Sequence, residues 1–317
     1  MIAYLLRRLG QAIVVVLLVS IIVFCLLHAL PGGPARAILG QQATQAQISA
    51  FNKSQGYDDP LIVQYLRYLG QLLRGQLGYS YQLNENVGTL LAQRLPKTLV
   101  LTVIGVLVAL LIAIPLGLLQ AIRRNRPVDY ALTAVTFVLY AMPLFFLGLL
   151  LIIGFSQDLH WFPPQAPQSD SLLTVLSQPA GLVLPVATLA LVTIAAFSRY
   201  VRSAVLDNLS EEYVRTARAK GALEGRVLFR HVTRNALVPV VTLVGVYIPY
   251  LFSGSLIVEA MFNYPGMGLL FWNAAQTRDY PVLLAVALVV SVATVVGSLL
   301  VDIAYVFLDP RVRYVSV

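Results

Sequence analysis

Six runs of the chain are apolar and free of charge: 9–30, 98–122, 130–155, 181–198, 236–258 and 281–301. Each approaches or exceeds the ~20 residues that an α-helix needs to cross about 30 Å of hydrocarbon. Two longer polar stretches interrupt the series, at 31–97 and 199–237. Within the first, Ile62, Tyr65, Leu66, Leu69, Leu72 and Leu73 recur with helical period. Asp59 is the expected N-cap of that helix, Pro60 its first residue and Gly75 its stop. Residues 40–57 are polar and Gln-rich and are expected to be irregular. Pro115, Pro143, Pro185 and Pro249 fall inside apolar runs, where membranes tolerate proline and it marks kinks. The pattern predicts an all-α membrane protein with six transmembrane helices. Residues 1–30 form the N-terminal segment and first helix, and 31–97 an external helical insertion. Residues 98–308 form a five-helix core that includes the loop 201–237, and 309–317 a cytoplasmic tail.

Composition agrees: 58% of residues are hydrophobic and 11% charged, where a soluble domain carries about 25%. Charge placement sets the orientation. With the N-terminus inside, the inner segments 1–8, 123–129, 199–237 and 309–317 hold 15 Lys and Arg, and the short outer loops 156–180 and 261–280 hold 1. Long loops translocate with little regard to charge, so the six basic residues of 31–97 weigh little. This predicts N-in, C-in, and makes the net charge of +8 a topology signal, with no nucleic-acid footprint. The first run is longer than the ~7–15 residues of a signal-peptide core, so it reads as an uncleaved anchor. Cys25 is the one cysteine and lies within it.

Residues 211–239, EEYVRTARAKGALEGRVLFRHVTRNALVP, carry six Lys/Arg and three Glu between two apolar runs. Ser210 is the expected cap of a helix whose first turn holds Glu211 and Glu212, with Arg215, Arg218 and Lys220 towards its other end. Gly221 is placed to stop it, and a second amphipathic helix over 224–236 leads to Pro239. The element is either a basic helix lying on lipid or a docking element for a partner. Catalytic signals are missing. There is no Gly-Lys-Ser/Thr phosphate loop, and His28, His160 and His231 lack metal-ligand spacing. Few ionisable residues fall within the spans: Glu259 ends the fifth, and Asp302 lies near Asp309, Arg311 and Arg313. An ion-coupled carrier would need such charges at mid-membrane. Thr242, Tyr247, Tyr250, Ser253 and Ser255 are candidates to line a neutral path, or else to pack against neighbouring helices.

The 211–239 segment resembles the EAA loop of ABC importer permeases. Arg215, Thr216, Ala217 and Gly221 stand at the positions of its Glu-Ala-Ala, three-residue, Gly pattern, and the first two depart from it. RTARAKG followed by VLFRH and RNALVP is similar to the dipeptide/oligopeptide/nickel branch. So are HALPGGPA (28–35), PLIVQYLRYLGQLLRGQLGYS (60–80), RLPKTL (94–99), NYPGMG (263–268), TRDYPV (277–282) and LDPRVR (308–313). The resemblance implies a permease subunit of an importer for di- or oligopeptides, with nickel, glutathione or oligosaccharide as alternative substrates. It implies as partners a second homologous permease, two ABC ATPase subunits and an external solute-binding protein. ATP and Mg would sit on the ATPases, with no cofactor in this chain. It places ATPase coupling on Glu212, Tyr213, Val214, Arg215, Thr216, Ala217, Arg218 and Gly221. Tyr213, Val214 and Ala217 would give apolar contact, Arg215 and Arg218 charge pairing, and Gly221 the turn. A stand-alone secondary carrier is the remaining alternative from another class.

Overall fold

A computed structural model describes residues 2–29, 33–40 and 42–308. Within its helices, the side chains of 2–5, 37, 238–239, 241–242, 246, 248–254 and 300–308 lie outside the description. In chain order the elements are α1 (Ile2–Ala29), α2 (Gly33–Leu39), α3 (Gln45–Gln55), α4 (Leu61–Leu73), β1 (Tyr79–Ser80) and β2 (Glu85–Asn86). There follow α5 (Val87–Ile122), α6 (Pro127–Ala141), α7 (Leu144–Leu151) with a π-helical turn at Ile152–Asp158, α8 (Leu172–Leu176) and α9 (Ala180–Leu209). The chain closes with α10 (Glu212–Ala219), α11 (Glu224–Arg226), a π-helical turn at Val227–Val232, α12 (Thr233–Met261), α13 (Met267–Thr277) and α14 (Tyr280–Leu308).

Among the described residues, four helices are long and apolar enough to cross a membrane: Leu6–Ala29, Val87–Ile122, Ala180–Leu209 and Tyr280–Leu299. The expected third span, 130–155, is not one straight rod. It is broken between α6 and α7, which meet at 108°. Pro143 has no N–H to give, and it holds Met142 in an extended conformation (ψ 133°), so the helix stops there. The expected fifth span lies in α12, a continuous helix of 29 residues.

At the centre, α5 runs against α9. Gly105, Ala109, Ala113 and Gly117 recur every four residues on α5, and all four are buried. A Cβ on Gly117 would stand 2.6 Å from the Ser198 carbonyl oxygen of α9, so only glycine permits this approach. Without a hydrophobic drive between helices in lipid, such small-residue seams let backbones gain contact. In α9, 78% of the most apolar window is buried, against 22% in α1. α9 is therefore the axis and α1 a peripheral helix, with Ile13, Val14, Ile22 and Leu26 exposed.

The insertion is more ordered than its composition suggested. Residues 45–55, expected to be irregular, form α3, entered through a capping box between Thr44 and Gln47 and closed by Gly56 at φ 70°. Asp59 does not cap α4; its carboxylate pairs with Arg67 at 2.6 Å, and Pro60 precedes the helix without a side-chain cap. Gln64 donates to the Tyr57 and Asp59 carbonyls and meets His28 Nε2 at 2.8 Å, tying α4 to the end of α1. The insertion also ends earlier than expected, because residues 87–97 are already the first turns of α5. Its short hairpin is anchored by the Ser80 hydroxyl, which donates to the buried carboxylate of Asp279.

At this same end of the bundle the NYPGMG loop closes onto α5 and the last turn of α12. Tyr264 donates to the Lys97 carbonyl at 2.8 Å, Met267 N–H to Thr98 Oγ1 at 2.8 Å, and Gly268 N–H to Glu259 Oε2 at 2.6 Å. Glu259 is fully buried, at the junction of α12 and α13. A Cβ on Gly266 would lie 2.4 Å from Glu259 Oε2, and one on Gly268 2.4 Å from the Leu256 backbone.

Candidate coupling surface

The opposite end of the bundle carries the 211–239 element. α9 runs unbroken to Leu209, and a two-residue turn leads into α10. Ser210 does not cap α10. Its backbone is still helical (φ −86°, ψ −9°), so its hydroxyl closes α9 by donating to the Asp207 carbonyl at 2.7 Å. Glu211 holds the cap position of α10 without a side-chain hydrogen bond. Lys220 ends α10, and Gly221 turns the chain at φ +75°, a left-handed conformation that favours glycine. Its N–H bonds the Arg218 carbonyl at 2.9 Å. The turn is then clasped from outside: Arg218 donates Nε and Nη2 to the two Glu224 oxygens at 2.8 and 3.2 Å. From Glu224 the chain stays helical through the π turn into α12, so the expected second helix is the root of a membrane helix.

The two faces of α10 differ. Val214 is fully buried, and Tyr213 and Ala217 pack beside it against Val201, Val205, Val227 and Val232. The Tyr213 hydroxyl donates to Asn208 Oδ1 at 2.6 Å. The three residues expected to offer apolar contact to a partner therefore face their own chain. The reason is helical period: 213, 214 and 217 share the stripe that the element needs for its own packing. The outward face carries Glu212, Arg215, Thr216 and Arg218. Arg215 pairs with Glu212 at 2.8 Å, and Thr216 donates to the Glu212 carbonyl. Beyond Gly221, Leu223 (80% exposed) and Phe229 (67% exposed) are large apolar side chains left uncovered. Sequence reasoning passed over both, although Leu223 breaks the polar run AKGALEG.

A buried ion pair fixes the helix that bears this element. Asp129, in the first turn of α6, is 2% exposed. Arg202 of α9 grips it with both arms, Nε at 3.0 Å and Nη2 at 2.9 Å. Asn125 N–H (3.0 Å) and the Thr133 hydroxyl (3.4 Å) fill its remaining acceptor sites. The α5–α6 turn is thus locked to α9 two to three turns before α10 begins. On the far side of α9, Phe197 meets the Tyr247 ring of α12 at 5.0 Å.

The candidate path residues are not gathered into one lining among the described residues. Tyr247 is half-buried against the packed cluster, and Ser255 is fully buried beside Glu259. Thr242, Tyr250 and Ser253, like Asp302, have side chains outside the described set, and residues 309–317 lie outside it altogether. No group of three or more His, Cys, Asp or Glu able to hold a metal occurs among the described residues.

Residues 113–314 match the family described as binding-protein-dependent transport system inner membrane component, and residues 1–102 match its N-terminal family. The chain belongs to this family. The permease is 40% identical over 316 residues to the oligopeptide transport system permease protein AppB of Bacillus subtilis (strain 168), covering 99% of this chain and 100% of that one. It is 39% identical over 319 residues to a putative peptide permease protein of Brucella suis biovar 1, covering 99% of each. It is 37% identical over 319 residues to the glutathione transport system permease protein GsiC of Salmonella typhimurium, covering 99% of this chain and 100% of that one. Among solved structures, an amino acid ABC transporter superposes with a TM-score of 0.55 at 16% identity, over 69% of this chain and 94% of that one. A methionine ABC transporter in inward-facing conformations gives 0.51 at 17% identity, over 68% and 95%. The permease therefore has the ABC-importer permease fold. It is a multi-pass, inner-membrane transport component of an ABC importer.

Proposed function

We propose that this permease forms half of the translocation pathway of an importer for di- or oligopeptides. It pairs with a second, homologous permease, and its α10–α11 surface receives one of two ABC ATPase subunits that carry ATP and Mg. An external solute-binding protein delivers the substrate. The chain crosses the membrane six times, N-in and C-in, with residues 31–97 outside. The substrate reading rests on the full-length relatives, whose names are peptide and oligopeptide permeases. Glutathione is the second reading, favoured by relatives of nearly the same identity.

The observation that carries the coupling reading is the division of labour on α10. One face is locked to the permease core, and the other offers charges flanked by two exposed apolar anchors. A rigid element of this kind passes ATPase closure directly to α9 and α12, where a flexible linker would absorb it. Arg215, Thr216, Arg218, Leu223 and Phe229 are the contact residues in this reading, with Glu212 holding Arg215. Tyr213, Val214 and Ala217 hold the element in place, and Gly221 makes its turn. Thr242, Tyr247, Tyr250, Ser253 and Ser255 remain candidates for the path.

Topology is tested by single-cysteine labelling of intact cells on a Cys25→Ser background. A cysteine at position 45 should react with an impermeant thiol reagent and one at 218 should not; the reverse would invert the arrangement. Function is tested by co-purifying the four subunits and measuring ATP turnover with a peptide-loaded binding protein. Stimulation by a glutathione-loaded protein alone would keep the mechanism and replace the substrate. Transport by this chain without any ATPase would overturn both.

A further inference from the structure

Between the insertion and the bundle lies a cavity of about 420 Å³, within the size range of small-molecule sites. It sits where α1 ends and α14 begins. Its deep side is apolar: Val23 and Leu27 from the last turns of α1, and Leu284 and Leu288 from the first turns of α14. Its outer side belongs to the insertion and is mixed yet neutral: Tyr57, Tyr68, Gln71 and Asn86 bring polar groups beside the apolar Phe51 and Leu72. Among the described residues, no Asp, Glu, Lys, Arg or His lines it.

We propose that this cavity holds an acyl chain of a bilayer lipid, its glycerol ester region meeting the phenols and amides of the insertion. Three observations carry the assignment. Every polar side chain of the lining comes from the insertion, and the α1 and α14 walls are wholly apolar, as suits an amphipathic ligand anchored in lipid. Beside Val23 and Leu27 on α1, Ile22 (56% exposed) and Leu26 (54% exposed) continue the apolar surface onto the open face of a peripheral helix. Lipid is therefore the nearest apolar medium. The lining also excludes the obvious competitor. A short peptide brings a charged amine and a charged carboxylate, and burying either without a counter-charge is costly. An ester carbonyl needs only a donor. Burial, assisted by the neighbouring Tyr65, pushes the Tyr68 phenol up to about 12, so it keeps the proton that it would donate.

An occupant here would fill the space between α1, the insertion and the start of α14. The lipid would then act as a removable part of the insertion's foundation. This reading does not depend on the identity of the transported substrate.

The test uses the full chain reconstituted in phosphatidylglycerol/phosphatidylethanolamine vesicles doped with a phospholipid that carries a diazirine in its acyl chain. After irradiation, adducts are located residue by residue by mass spectrometry. Labels are expected on Val23, Leu27, Leu284 or Leu288 as well as on the lipid-facing Ile22 and Leu26. Ala285→Trp fills the cavity from α14, since Ala285 lines it and is 5% exposed. It should cut the cavity labels about tenfold, the equivalent of about 1.4 kcal/mol, and leave Ile22 and Leu26 labelled as before. Should that variant aggregate, Gln71→Trp at the exposed rim serves in its place. Cavity residues that stay unlabelled, or labels that neither tryptophan reduces, would overturn the proposal. So would a neutral photo-leucine tripeptide that labels the same residues and is not displaced by lipid.

Discussion

Replacing Arg202 by Met exposes what the α6–α9 clasp is worth. The change removes two charge-assisted bonds, at 3.0 and 2.9 Å, from a carboxylate whose side chain is 3% exposed. Asp129 keeps Asn125 N–H and a long bond from Thr133. Breaking one side of a buried pair costs about 3–5 kcal/mol, because the remaining charge has no counter-charge. Arg202 is itself 30% exposed, so water reaches that side and the lower end, about 3 kcal/mol, is expected. In a thermal scan of the detergent-solubilised protein this is a fall on the order of 6–12 °C. The double variant Asp129→Asn/Arg202→Met removes the stranded charge. It keeps an oxygen for the Asn125 N–H and should recover most of the loss, to within about 1 kcal/mol of wild type. The double variant is then about 2 kcal/mol more stable than Arg202→Met alone. An Arg202→Met protein that melts with wild type, or a double variant no better than the single, would refute the claim that this pair fixes α9.

Gly221 sits at φ +75° with nothing within 4 Å of a Cβ, so the backbone angle alone constrains it. Gly221→Asn should retain substrate-stimulated ATP turnover in the assembled transporter, whereas Gly221→Val, strained by about 1–2 kcal/mol or more, should lose most of it; full activity in the valine variant would contradict the role given to the turn. Gly268→Ala drives a Cβ to 2.4 Å from the Leu256 backbone, which cannot rotate away, and should destabilise by about 1–3 kcal/mol. Gly225→Ala meets nothing within 4 Å and is the matched control for the same melting measurement. Tyr68 ionises only at about 12 when folded. Its pKa is raised on folding, so its contribution is complete below about pH 10 and is lost as pH rises towards 12. Stability should fall over that window less steeply in Tyr68→Phe, as read by chemical unfolding at each pH.

The apolar runs determined most of the architecture without help. Uncharged stretches of this length have one stable home, and each must satisfy its own backbone hydrogen bonds there as helix. The runs thus located the four long apolar helices found among the described residues, and Gly221 marked the turn between α10 and α11 because a left-handed residue is a local requirement. Even α3 was legible in retrospect: Thr44, Gln47 and Gly56 are local cap signals, outweighed in the reading by the polar, Gln-rich composition of 40–57. What depends on partners distant in sequence was not legible. The charge of Asp129 was visible, but its pairing with Arg202, 73 residues away, was not. The tertiary structure likewise decided which face of α10 turns inward, because Tyr213, Val214 and Ala217 suit a partner's groove and the chain's own core equally well. It also turned the third apolar run through 108°. Proline fixes where a helix stops, but the direction in which the chain resumes is set by the packing of neighbouring helices.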